Sequence, residues 1–189
     1  SFCSGLDLKE FNADPRPEWL PRFQTLWRGL HERLFACDKA IVCAMESYAI
    51  NAGSALNRVS DVADLGTTAA HEEAVRCDLG NYDAMLALLD GVDAVVHLGG
   101  MSIDGPFEPI LNANIRGAYN LYEGVRQKGV KRVVFASSNH VVGFHKQTDR
   151  LDATASMRPD GNYGVSKAFG ELLSRFYYDR YGVETVCMR

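Results

Sequence analysis

The sequence lacks the patterns that would tie it to a membrane, to nucleic acid or to a disulfide framework. No apolar run in it approaches the roughly 20 residues that span a bilayer, and no secretory signal pattern is present. Positive charge is not in excess: 20 Lys and Arg against 24 Asp and Glu leave a net charge of −4. That balance argues against a nucleic-acid partner. The cysteines, Cys3, Cys37, Cys43, Cys77 and Cys187, are scattered and odd in number, with no C-x-x-C pair. Reduced thiols, a cytoplasmic protein and no metal site are the expectation. A glycine-rich phosphate turn is missing as well. Upstream of Asp61 the nearest glycines are Gly53 and Gly29, and neither lies in a G-x-x-G-x-x-G pattern.

What is present is a globular composition, 47% hydrophobic and 23% charged, in a length that suits one ordinary domain or two small ones. The chain reads differently on either side of about residue 57. Before it, Trp19, Leu20, Phe23, Leu26, Trp27, Leu30 and Leu34 fall at helical spacing over 18–35. The apolar run 39–45 predicts a buried strand, and a stretch of small residues, 48–56, follows it. After residue 57 the rhythm becomes strand, loop, helix. Strands are predicted over 58–62, 74–77, 94–98, 132–137 and 183–188, and helices over 82–89, 110–127 and 163–181. Gly129 and Gly182 stand just past the last two helices, where a left-handed cap is favoured. Apolar strands alternating with amphipathic helices predict a parallel sheet covered on both faces. Such sheets bind ligands beyond the carboxyl ends of their strands, which is where Asp61, Asp78, Gly99, Ser102 and Ser138 collect.

The most informative segment is Tyr163-Gly164-Val165-Ser166-Lys167. Residues i and i+4 share a helix face, so the Lys167 ammonium lies near the Tyr163 phenol. Its charge is expected to favour phenolate, whose ordinary pKa is about 10, and so to make Tyr163 a base for a substrate hydroxyl. Upstream, the strand Val133-Val134-Phe135-Ala136-Ser137-Ser138 ends in hydroxyls that could hold the same substrate oxygen, with Asn139 and His140 directly after.

Together these residues resemble the extended short-chain dehydrogenase/reductase family, the epimerase and dehydratase branch. The resemblance implies a Rossmann-like, doubly wound α/β fold. It makes Ser138, Tyr163 and Lys167 catalytic, and places NAD against Asp61, Asp78, Leu79, Leu98, Gly99, Gly100, Asn114, Tyr163 and Lys167. An acid at Asp61 favours NAD over NADP, because it would repel a 2′-phosphate. The segments HLGGMS, NLYEGVR, FASSNH, RPDGNYGVSK and FGELL look very like the bacterial uronate dehydrogenases. That likeness implies oxidation at C1 of galacturonate or glucuronate to an aldarolactone, with Ser102, Ser138, Asn139 and His140 on the sugar acid. It also implies a homo-oligomer paired through the helices 110–127 and 163–181.

Residues 1–56 resemble a different family, the crotonases. Ser1-Phe2-Cys3-Ser4-Gly5-Leu6-Asp7-Leu8 and Ser47-Tyr48-Ala49-Ile50-Asn51-Ala52-Gly53 look like its two oxyanion segments, with Leu6 and Ala52 or Gly53 as N–H donors. Asn51 and Ala52 replace two glycines of that pattern, and Ala55 stands at the position of the hydratase glutamate. The expectation is therefore a crotonase-like α/β fragment over 1–56, joined to a dehydrogenase core over 57–189. That core lacks its first strand, its glycine-rich turn and a C-terminal substrate region. One arrangement would make the chain compact: strand 39–45 and the turn after it occupying the empty first-strand slot. The functional alternatives are an NAD-dependent uronate dehydrogenase, a non-catalytic chimeric or truncated product, and a crotonase-type acyl-CoA enzyme.

Overall fold

A computed structural model describes Thr25, Arg28 and residues 41–44, 58–61 and 73–189. In chain order the elements are β1 (Ile41–Ala44), β2 (Arg58–Asp61), β3 (Glu73–Arg76), α1 (Tyr82–Leu88), β4 (Ala94–His97) and α2 (Phe107–Ile110). A π-helical segment (Leu111–Arg116), α3 (Gly117–Lys128), β5 (Arg132–Ala136), a 3-10 turn (Asn139–Val142), α4 (Asn162–Tyr181) and β6 (Glu184–Met188) complete them.

The strands form one six-stranded sheet in the order β3-β2-β1-β4-β5-β6. Every neighbouring pair is parallel, the Rossmann-like arrangement. Parallel neighbours need crossovers rather than hairpins, and α1, α3 and α4 lie in the connections that join β3 to β4, β4 to β5 and β5 to β6. The compact arrangement, with strand 39–45 in the first-strand slot of the core, is the one observed. Ile41–Ala44 lies between β2 and β4, with Cys43 in register with Val59 on one side and Val96 on the other. The run Ile41-Val42-Cys43-Ala44 is apolar, with two β-branched residues, a composition that suits a strand.

The core below the site is built by Met85, Leu88 and Leu89 from α1 and its cap, Val95 from β4, Leu121, Tyr122 and Val125 from α3, and Val133 from β5. Burial of one such side chain contributes roughly 1.5–3 kcal/mol. Helix ends follow the sequence signals. Asn81 Oδ1 accepts from the Ala84 amide at 3.1 Å. Gly129 and Gly182 adopt φ of 73° and 71° past α3 and α4, a region costly for residues with a Cβ.

One helix departs from expectation. The predicted continuous helix over 110–127 starts earlier, at Phe107, and its Leu111–Arg116 stretch is π-helical. The wider turn accompanies Asn114, which is buried and bonded across to another loop. π-turns of this kind concentrate at functional sites.

Of the helix predicted over 18–35, Thr25 and Arg28 are helical and exposed, and the remainder lies outside the described residues. The two crotonase-like segments, with Leu6, Ala52, Gly53 and Ala55, and the small-residue stretch after β1 also lie outside them. Among the described residues no helix is long and apolar enough to cross a membrane, and Cys77 and Cys187 are unpaired thiols.

Candidate active site

Because all the strands run parallel, their carboxyl ends open on one side of the sheet. Asp61 ends β2, Asp78 follows β3, Gly99 follows β4 and Ser138 follows β5. Strand order reverses between β1 and β4, the position at which open parallel sheets bind ligands. Asp61 is 4% exposed at that rim. Asp78 is exposed, and its carboxylate accepts from the Gly80 amide at 2.8 Å. Leu79 is buried, and its carbonyl accepts from Asn120 Nδ2 at 2.8 Å.

The structure brings Ser138, Tyr163 and Lys167 together. Ser138 is buried at the start of the 3-10 turn, with its Oγ accepting from the His140 amide at 3.2 Å and donating to Asn139 Oδ1 at 3.3 Å. Tyr163 and Lys167 project from the first turns of α4, both buried. Lys167 Nζ lies 5.7 Å from the centre of the Tyr163 ring. It donates to the Ala136 carbonyl at 2.9 Å and sits 5.3 Å over the Phe135 ring. Lys167 is thus anchored to the end of β5, one helical turn from the phenol it was expected to tune.

The net shift of the phenol runs opposite to the one expected from the lysine charge, and its cause is burial. Burial pushes the Tyr163 phenol above its ordinary value, and a hydrogen bond with Ser138 works against the rise. Desolvation of the phenolate outweighs what favours it in the ligand-free chain.

His140 lies beside the same phenol, its ring meeting that of Tyr163 edge-on at 5.6 Å. Its Nδ1–H donates to Asp160, 2.9 and 3.0 Å from the two carboxylate oxygens. A carboxylate only accepts, so the proton is on Nδ1 and Nε2 is left as the second polar atom of the ring. Asn139 and His140 are exposed, as is Ser102 on the loop after β4.

Asn114, expected against the cofactor, clamps a loop. Its Oδ1 accepts from the Met101 amide at 2.7 Å, and its Nδ2 donates to the Met101 carbonyl at 3.1 Å and to Ser166 Oγ at 2.8 Å. The Gly99–Gly100 turn is buried under it. A Cβ on Gly100, whose φ is 110°, would stand 2.5 Å from Asn114 Oδ1, so only glycine lets the turn pass this side chain.

Several site neighbours carry no local signal in the sequence. Glu171, one turn beyond Lys167, accepts from Ser137 Oγ and holds Arg189 in a two-pronged ion pair, with Nε and Nη2 at 2.9 and 2.7 Å. Burial opposes the charge on Glu171, but the Arg189 and Ser137 hydrogen bonds outweigh it and hold the carboxyl below its usual range. His97 is 1% exposed, stacked 5.5 Å from Phe135, and its Nδ1 has no hydrogen-bond partner among the described residues.

Burial, with Lys167 as a nearby like charge, pushes His97 down to about 3. It stays neutral in the fold but takes a proton on unfolding at its ordinary value near 6.5. The unfolded chain therefore binds the extra proton as pH falls below 6.5, and stability drops until pH reaches about 3. Urea unfolding at pH 7 and pH 5 should differ by roughly 2 kcal/mol from this group alone, and His97→Gln should flatten the difference. An unchanged slope in that variant would show that the ring is not the acid-sensitive group.

Fold and site together define a dinucleotide-type α/β protein with a Ser–Tyr–Lys centre at the carboxyl edge of its sheet. The sequence model of the NAD dependent epimerase/dehydratase family matches residues 40–189, and the chain belongs to that family. The match begins at β1 and includes the segment 47–56 that resembles a crotonase loop.

Uronate dehydrogenase of Pseudomonas syringae pv. tomato is 53% identical over 133 residues, covering 70% of this chain and 48% of the relative. That of Agrobacterium fabrum is 54% identical over 117 residues, covering 62% and 44%. Among solved structures, a mutant uronate dehydrogenase of Agrobacterium tumefaciens complexed with NAD superposes with a TM-score of 0.70 at 42% identity, covering 78% of this chain and 58% of that one. The chain spans about half the length of the curated relatives it matches.

Proposed function

We propose that the protein is an NAD-dependent oxidoreductase of uronate dehydrogenase type, which oxidises C1 of galacturonate or glucuronate to the aldarolactone. The observation that carries this reading is the buried Ser138–Tyr163–Lys167 cluster at the carboxyl edge, in a chain over 50% identical to uronate dehydrogenases across its matched length.

The residues fit the cofactor. Asp61, buried at the end of β2, would accept from ribose hydroxyls. Gly99 and Gly100, which carry no side chain of their own, follow β4 at the same edge of the sheet. The family match begins at residue 40, one residue before β1, so the dinucleotide-binding unit is read as starting there.

NAD, when bound, supplies the acceptor for the C1 hydride. Tyr163 Oη takes the proton of the C1 hydroxyl, and Ser138 Oγ holds the same oxygen. Lys167, fixed on the Ala136 carbonyl, supplies positive charge as the phenol ionises and bonds ribose hydroxyls. Ser102, Asn139 and His140 line the sugar-acid side. Val165, Leu172 and Phe176 are exposed along one line of α4, which supports a homo-oligomer through this helix.

Calorimetric titration with NAD, followed by NADH formation with each uronate, tests the reading. Saturable NAD binding, weaker NADP binding and uronate-dependent NADH are expected. An NAD dissociation constant weaker than millimolar, or no NADH with either acid, would favour the non-catalytic alternative.

A further inference from the structure

We infer that Asp104 is a positioning residue, which holds the loop bearing Ser102 against the catalytic helix and so sets the distance between the sugar-acid side and the Tyr163 phenol. The inference rests on the function proposed above and adds a residue to it.

The first turn of α4 has amide donors that need partners. Its formal cap is Gly161, which has no side chain to offer. The missing acceptor comes from another element: Asp104 Oδ1 accepts from the Tyr163 amide at 2.8 Å, across 59 residues of sequence. Asn162 Nδ2 donates back to the Gly105 carbonyl at 3.2 Å. The fit is close on the helix side too. A Cβ on Gly161 would stand 2.7 Å from the Asp104 carboxyl carbon, so glycine there leaves room for the cap.

The same loop is held at its other end by Asn114, which grips Met101 and reaches Ser166 of α4. Ser102 therefore sits between two ties to one helix, one through Ser166 and one through the Tyr163 backbone. A Cap of this kind on Tyr163 itself fixes the residue whose hydroxyl reacts. Shifting a reacting group by about an ångström can cost 100-fold in rate.

The test compares Asp104→Ala, Asp104→Asn and Gly161→Ala in the full chain. Asp104→Ala should lower kcat for uronate oxidation at least tenfold while the KM for NAD stays within twofold. Asp104→Asn, which still accepts at a helix cap, should restore most of kcat, and Gly161→Ala should copy Asp104→Ala by displacing the carboxylate. Amide NMR gives a readout free of turnover. In Asp104→Ala the Tyr163 amide should exchange roughly 2- to 30-fold faster, the range expected for loss of one cap, and the Ser102 resonance should shift with it.

An unchanged kcat in Asp104→Ala would overturn the inference, as would an Asn variant as impaired as Ala. A Ser102 resonance that stays put while Tyr163 exchanges faster would reduce Asp104 to a local cap and also overturn it. If the wild-type chain forms no NADH from uronates, the proposed function fails, and the paired amide response still decides the role of Asp104.

Discussion

Tyr163→Phe should lower kcat for uronate oxidation by roughly 10²- to 10⁴-fold, the usual contribution of a positioned acid–base group. Phe keeps the ring that fills this 8% exposed position and its edge contact with His140. It removes only the hydroxyl and the bond to Ser138. The folded state should lose little, because the phenol is a buried polar group that already resists ionisation there.

The same burial fixes the direction of the pH profile. A base whose proton is held above its ordinary value is scarce in its active form at neutral pH. The wild-type kcat/KM should therefore climb on the alkaline side as Tyr163 ionises, and the residual rate of the Phe variant should not. NADH absorbance across a pH series measures both. A Phe variant that keeps a tenth of the rate, with the alkaline rise intact, would move the base elsewhere. His140 is the neighbour to examine, since its Nδ1–H is committed to Asp160 and its ring lies 5.6 Å from the phenol.

Gly170→Ala should destabilise the protein by about 1–3 kcal/mol, the cost of forcing one extra carbon into a packed core, although alanine is the better helix former by about 1 kcal/mol. A Cβ on Gly170 would stand 2.7 Å from Phe135 Cε1 and 2.9 Å from Cε2, with Cζ nearer still. Phe135 is 2% exposed and cannot swing away. His97 is stacked on it, Tyr122 borders it at 6.5 Å, and Lys167 Nζ lies over its face.

Relief must come from lifting α4 off β5 or from pushing Phe135 towards His97 and Lys167. Either movement disturbs the lysine held on Ala136, so kcat should fall together with the urea midpoint. Gly129→Ala is the control: open space surrounds that glycine, and only its left-handed backbone opposes a side chain, at roughly 1–2 kcal/mol. A Gly170→Ala protein more stable than wild type would mean that α4 does not pack on Phe135 this closely.

The sequence by itself determined what depends on neighbours a few residues apart. Tyr163 and Lys167 share a helix face because they are four residues apart, and Ser138 follows an apolar strand into a turn. The same local rules placed Asp61 at a strand end and Gly129 and Gly182 at helix ends. The tertiary structure decided what depends on partners far along the chain. Asn114 clamps a loop because Ser166, 52 residues away, and Met101 meet it in space. The cap on Tyr163 comes from Asp104, a residue with no local signal, because an amide at a helix end takes whatever acceptor packing brings to it.

The first-strand slot was settled the same way. A four-residue apolar run can pair in many registers, and only its place between β2 and β4 made Ile41–Ala44 the centre of the sheet. The direction of the Tyr163 shift was hidden for a related reason. Spacing reports that a charge is near, but burial decides how much the phenolate loses in leaving water, and burial is a property of the whole fold.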